Sequence, residues 1–256
     1  MEENNITYNK ENDSGTTVVE MKNIKKTFGS NEVLKNVNFS LTKGENVVVL
    51  GKSGTGKSVL IKCIVKLISA DDGELNVFGK DVLKLNPDEM SEIRSKTGFL
   101  FQSGALYDSM TVRENLEFPV RRKLRNTSEE EINQLVEEVL SNVGLEDTAE
   151  KMPAELSGGM RKRISLARTL ILKPELMLYD EPTTGLDPIT SQEISELILE
   201  IQHKYKTSSI IITHDIKCAK ITADRIMILD NGEFITTGTY DELQNSKNEI
   251  VRSFFK

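Results

Sequence analysis

The 256-residue chain has two cysteines, Cys63 and Cys218, in apolar or helical contexts without metal-ligand spacing, so a zinc site is not expected and buried reduced thiols are. No apolar run approaches the roughly 18 residues of a spanning helix. Stretches such as Val47–Leu50 and Ile210–Ile212 are far shorter. The segment Met1–Thr17 is polar and acidic without an apolar core, which excludes a signal peptide and suggests a disordered leader. A cytoplasmic protein is therefore expected, with any membrane association made through a partner. A basic excess is missing too: 33 Lys and Arg face 40 Asp and Glu, a net charge of −7, which argues against a nucleic-acid partner. The densest basic cluster, residues 121–125, reads as a solvated edge beside a partner surface. No internal repeat is visible. Composition, at 38% hydrophobic and 29% charged, allows one sizeable core, or a domain carrying an insertion.

What is present is a complete G-x-x-x-x-G-K-[ST] loop, Gly51-Lys52-Ser53-Gly54-Thr55-Gly56-Lys57-Ser58, between the apolar run ending at Leu50 and a helical run from Val59 to Val65. That context is what a phosphate-binding loop requires. Backbone N–H groups and a helix N-terminus face one anion. Lys57 can reach the β- and γ-phosphates, and the Ser58 hydroxyl can ligate Mg²⁺. Binding of a nucleoside triphosphate is expected.

Short alternating stretches, Val18–Met21, Val33–Leu41 and Glu74–Gly79, predict an antiparallel β layer beside this core. From about Ala105 to Arg168 helical periodicity takes over. Within Thr127–Val143, Ile132, Leu135, Val136, Val139 and Leu140 share one helical face. After Pro174, strands at Leu176–Tyr179, Ile210–Thr213 and Ile226–Leu229 alternate with helices at Ser191–Tyr205 and Ile216–Thr222, which predicts a parallel sheet. The fold expected is α/β: a P-loop core with a mostly parallel sheet, an antiparallel layer and an inserted helical subdomain. The domain is placed at 18–246, with residues 247–256 as a C-terminal tail.

Leu176-Met177-Leu178-Tyr179-Asp180-Glu181 is an apolar strand ending in two carboxylates. Asp180 can hold Mg²⁺ opposite Ser58, and Glu181 can polarise a water for in-line attack on a γ-phosphate. Ser157 lies 23 positions before Asp180, in Leu156-Ser157-Gly158-Gly159-Met160, at the start of a basic helix. Here the chain resembles the ATP-binding-cassette (ABC) ATPases, whose signature falls at this distance before the carboxylate strand. The resemblance runs from about Val18 to Leu243, with Met160 standing where glutamine is commonest.

The resemblance implies that Ser157, Gly158 and Gly159 serve the nucleotide of a second subunit in a head-to-tail homodimer. It also implies that Gln102 contacts Mg²⁺ and hinges the helical arm, that Gly185-Leu186-Asp187 crosses the interface, and that His214 hydrogen-bonds the γ-phosphate. Phe28 sits where an aromatic stacks on adenine, although an ordinary core phenylalanine is the alternative. His203 is expected in solvent.

Family membership leaves the cargo open. The stretch Gln102–Pro119, the Leu-Ser-Gly-Gly-Met variant and Asp180–Ser191 resemble the ATPases of Mla/MCE lipid transporters. Such ATPases pair with an integral-membrane permease and an MCE-domain protein and move phospholipid across a diderm envelope. The same resemblance implies a peripheral location on the cytoplasmic face of the inner membrane. Phe118-Pro119-Val120 is a candidate docking surface, with core packing as the other reading. The ATPase of an amino-acid or metal importer, or a non-transport ABC switch in cell division or cofactor assembly, remains the alternative.

Overall fold

Apolar strands that alternate between two buried faces organise the molecule. The computed structural model describes residues 15–124 and 126–255. The leader expected at 1–17 lies outside the described residues as far as 14, and its last residue already belongs to a strand. In chain order, β1 (Thr17–Phe28), β2 (Asn31–Thr42) and β3 (Asn46–Leu50) lead into α1 (Lys57–Ile64). Next come β4 (Asp72–Val77), β5 (Lys80–Asp81), α2 (Pro87–Ser95) and β6 (Thr97–Leu100). The helical part holds α3 (Val112–Lys123), α4 (Glu129–Asn142) and α5 (Gly158–Leu170). The chain then runs through β7 (Leu176–Asp180), α6 (Pro188–Tyr205), β8 (Ser208–Thr213), α7 (Ile216–Thr222) and β9 (Arg225–Asp230). It closes with β10 (Glu233–Gly238), α8 (Tyr240–Gln244) and α9 (Glu249–Ser253).

One sheet, ordered β2-β1-β4-β5, is antiparallel throughout. The other, ordered β10-β9-β3-β8-β7-β6, is parallel except for the β10–β9 pair. Its central strands are buried on both faces, which is why they read as unbroken apolar runs. Val47 and Val49, Leu176 and Leu178, and Ile210 and Ile212 point toward the antiparallel sheet and α1. Val48 and Leu50, Met177 and Tyr179, and Ile211 point to the opposite core with the helices. Period-two alternation thus divides each strand between two cores. Cys63 and Cys218 are both buried and free, and burial pushes their thiols up to about 11.

The helical part begins at Val112, not at 105, because Thr111 and Glu114 form a reciprocal cap there. Ser128 and Glu131 cap α4 the same way, and Ile132, Val136, Val139 and Leu140 form its buried stripe, with Leu135 at the margin. The four-residue β6, α2, β10, α8 and α9 escaped the sequence reading. Residues 247–255, expected as a tail, fold back: Val251 is buried, and Phe255 meets Tyr240 edge-on at 5.4 Å. In the candidate docking triplet the two readings divide between residues. Val120 lies one turn beyond Leu116 on the buried face of α3 and is fully enclosed, leaving Phe118 and Pro119 partly exposed.

The loop before α3 hangs on Asn115, which is fully buried. Its side chain accepts from Tyr107 N and donates to the carbonyls of Tyr107, Met110 and Thr111. Alanine there strands buried partners, each worth about 1–3 kcal/mol. Asn115→Ala should therefore lower the unfolding free energy by that order, seen as a lower denaturation midpoint, and speed proteolysis between residues 103 and 111. An unchanged midpoint and cleavage rate would refute this role for the side chain.

Candidate functional site: a phosphate loop and two carboxylates

The loop Gly51–Ser58 leaves β3 and enters α1 at the carboxyl ends of the parallel strands, where such sheets bind ligands. Gly56 precedes the helix at φ +99°, and a side chain there would lie 2.9 Å from the Val33 carbonyl oxygen, so only glycine fits. The Lys57 ammonium, 6% exposed, donates to Gly51 O at 2.8 Å and Lys52 O at 3.0 Å. It also lies 3.5 Å from Glu181 Oε1. Ser58 Oγ donates to Asp180 Oδ1 at 2.7 Å, joining α1 to the end of β7.

Glu181 takes a left-handed backbone, φ +51°, uncommon for a residue with a long side chain. Its N–H is held by Ile212 O. Its Oε2 lies 2.8 Å from His214 Nδ1 and accepts from Thr184 Oγ1 at 3.2 Å. A carboxylate only accepts, so Nδ1 carries the proton and Nε2 is left toward the cavity. Nε2 can donate to an anion only as imidazolium. Lys162, on α5, is buried and donates to Gln102 O at 2.8 Å. Burial lowers its pKa, while Asp180 and Glu181 pull it back up.

Lys57, Ser58, Gln102, Glu181 and His214 line one cavity of about 780 Å³, whereas Asp180 and Lys162 do not. Lys52, Ser53, Gly54, Gly56, Lys57, Ser58 and Val59 form its floor, Gln102, Glu181 and His214 one wall, and Phe28 the other. Phe28 is 47% exposed and so not a core residue, and Lys26 Nζ lies 5.1 Å from its ring centroid. Gly51 and Thr55 shape the loop without lining the cavity; Thr55 Oγ1 donates to Lys52 O. Val33, Thr184 and Lys162 were missed by sequence reasoning, though Thr184 stands within three residues of Glu181. His203 is exposed, away from the site.

Ser157, Gly158 and Gly159 do not line this cavity. Ser157 Oγ caps α5 by accepting from Met160 N. Gly158 lies near Leu186, and a Cβ on Gly159 would meet Thr190 Cγ2 at 2.6 Å. Ser157 and Gly158 are therefore exposed beside the Gly185–Asp187 turn, outside the cavity that the chain's own phosphate loop lines.

A donor set of the Ser58 hydroxyl, the Asp180 carboxylate and the Gln102 amide suits a hard, oxygen-seeking cation such as Mg²⁺. When bound with nucleotide, Mg²⁺ would neutralise charge on the phosphate oxygens.

Residues 34–184 match the ABC transporter family. The chain is 38% identical over 236 residues to the probable ribonucleotide transport ATP-binding protein mkl of Mycobacterium leprae, covering 92% of this chain and 68% of that one. It is 39% identical over 261 residues to the chloroplastic protein TRIGALACTOSYLDIACYLGLYCEROL 3 of Arabidopsis thaliana, covering 95% and 74%. Among solved structures, the dimeric post-hydrolysis ATP-binding cassette MJ0796 bound to ADP and Pi superposes with a TM-score of 0.79. It is 34% identical, and the match covers 87% of this chain and 98% of that one. The fold and site define an ATP-hydrolysing P-loop cassette. The chain belongs to the ABC transporter family and is an ATPase that uses ATP with Mg²⁺. Cassettes of this family dimerise and pair with membrane permease subunits. Among the described residues, no helix is long and apolar enough to cross a membrane.

Lys57→Ala removes the ammonium from the loop. ATP binding should weaken by about 1.5–3 kcal/mol, the worth of a charge-assisted contact, and turnover should fall further because charge grows in the transition state. Nucleotide titration and phosphate release check both. Unchanged turnover would mean that this loop is not the catalytic phosphate site.

Proposed function

We propose that this ATPase drives a permease that moves phospholipid across a cell envelope, with an MCE-domain protein as third partner. The observation that carries the reading is the stretch Gln102–Pro119, whose wording resembles the Mla/MCE ATPases. Part of that stretch is surface: Tyr107 is 42% exposed and packs edge-on against Phe118. Phe118 also borders an open groove of about 510 Å³ with Met110, Glu114, Glu117, Arg121 and Arg122, a fitting seat for a permease helix. The plant relative's name carries a glycolipid and the mycobacterial one a ribonucleotide, so overall identity does not choose between cargoes. The local stretch supports phospholipid.

In this reading the subunit sits at the cytoplasmic face of the inner membrane, held there by the permease. Lys57 and the loop N–H groups cradle the β- and γ-phosphates, and Phe28 stacks on the base. Glu181 orients and activates the attacking water, His214 contacts the γ-phosphate, and Ser58, Asp180 and Gln102 hold Mg²⁺. Ser157, Gly158 and Gly159 close on the γ-phosphate held by the partner subunit. Affinity capture from native membranes, followed by lipid and protein mass spectrometry, tests the cargo. A permease, an MCE protein and phospholipid are expected; a periplasmic amino-acid-binding protein or a peptidoglycan-remodelling complex would replace this reading.

Two variants test the chemistry. Glu181→Gln should retain ATP binding, lose about 10²–10⁴ in turnover and accumulate as an ATP-bound dimer on gel filtration. Near-normal hydrolysis would remove Glu181 from its assigned role. Ser157→Arg should spare ATP binding by the isolated subunit yet block hydrolysis, because the arginine fills the space a partner's γ-phosphate must enter. Mixing Ser157→Arg with Lys57→Ala chains makes heterodimers with one composite site carrying both lesions and the other intact. Activity above either variant alone is expected. Loss of nucleotide binding by the Ser157→Arg monomer would instead place Ser157 at its own chain's site.

A further inference from the structure

One face of α5 grips the chain just after β6 at three successive points. Lys162 Nζ donates to Gln102 O at 2.8 Å. One turn on, Ser165 lies under Gly104: at φ +81°, a Cβ on that glycine would come within 2.5 Å of Ser165 Oγ. A further turn along, Arg168 Nη1 donates to Ala105 O at 2.5 Å, and its guanidinium carbon stands 4.6 Å from the Tyr107 ring centroid. Lys162, Ser165 and Arg168 are spaced three apart, so they stack along one side of the helix. Tyr107 then packs on Phe118 at the rim of the groove, and its backbone is held by Asn115. The helix that makes these contacts is capped by Ser157.

The Lys162 contact is more than packing. Lys162 as a whole is 6% exposed and is the innermost point of the grip. A buried cation fastened to a carbonyl has few alternatives, so its loss frees the segment locally. Arg168, at the outer end, lies near the exposed Tyr107 ring.

We propose that Lys162 is a positioning residue: with Ser165 and Arg168 it locks Gln102–Tyr107 to α5, so that the Gln102 side chain, the groove rim and Ser157 move as one body. The lock would carry a displacement at the groove to the nucleotide cavity on one side and to the composite site on the other. This rests on Gln102 acting at the nucleotide site.

The test uses the full chain. It contains no tryptophan, so Tyr107→Trp supplies a single fluorescent reporter on the locked segment. ATP with Mg²⁺ should shift the reporter's emission. Lys162→Met, which keeps the stem and loses the charge, should abolish that shift. It should also lower kcat about 10- to 100-fold, the rate equivalent of one charge-assisted hydrogen bond. KM for ATP should stay within about twofold, and the Mg²⁺ concentration for half-maximal turnover should rise, as expected when positioning is lost and binding kept. Lys162→Arg should restore both kcat and the shift, which general destabilisation would not allow. If Lys162→Met does not fold, Arg168→Gln tests the outer end of the same face: the reporter shift should shrink while ATP still binds. An unshifted reporter in the parent chain, or Lys162→Met with near-normal kcat and a normal shift, overturns the proposal. Gln102→Ala separates the two ideas: if it leaves turnover unchanged, the assignment of Gln102 fails. If it slows turnover while Lys162→Met does not, only the lock fails.

Discussion

Strand register fixes everything at the nucleotide end of this molecule. Leu50 pairs with Thr213, and Asp180 pairs with Ile212, so β3, β8 and β7 end within a residue of one another. The next residues along each chain are Gly51, His214 and Glu181. Three segments distant in sequence therefore leave the sheet side by side, and the Ser58–Asp180 and Glu181–His214 hydrogen bonds follow from that alignment. A slip of one residue would turn each strand's apolar set to the wrong core and carry its terminal side chain away. The two cores that flank the sheet hold the register by burying both of its faces.

The same logic explains what lies outside the cavity. Ser157–Gly159 open a helix that packs against β6 and the opening turn of α6, so they are held by the core yet lie outside the cavity of their own phosphate loop. A helical arm placed this way does not line its own chain's cavity, which fits the proposal that it serves the nucleotide of a partner subunit. The antiparallel sheet contributes differently. It extends Phe28 over the phosphate loop on a strand whose end is fastened by Asp71, through the Thr27 N–H and the Lys26 ammonium.

Much of this was legible because chemistry and pattern coincide. The phosphate loop, the Asp180-Glu181 pair and His214 each follow an apolar run that stops abruptly, and a run of that kind can only be a buried strand. The stripe of α4 was equally plain. β6 was not, since four residues give too little alternation to distinguish a strand from the loop that follows. Val120 stayed open between surface and core because its neighbours Phe118 and Pro119 suggested surface, whereas its phase with Leu116 puts it inside. Lys162 looked like one more charge in Arg161-Lys162-Arg163. Its burial depends on a carbonyl 60 positions earlier, and no local pattern reports such a contact. Phe28 was ambiguous for a similar reason, as a Phe-Gly pair does not say whether the ring is covered.

The backbone of Glu181 has one more consequence. A left-handed conformation costs a long-chain residue about 1–3 kcal/mol, and the surrounding structure holds it there through Ile212 O, Thr184, His214 and Lys57. Glycine or asparagine would rest at that φ with less strain. Left to thermostability alone, position 181 would drift toward one of them, and a screen that rewards only folding would discard the carboxylate to which water activation is assigned in the proposed function. A cassette engineered for heat resistance should therefore take its gains elsewhere on the molecule.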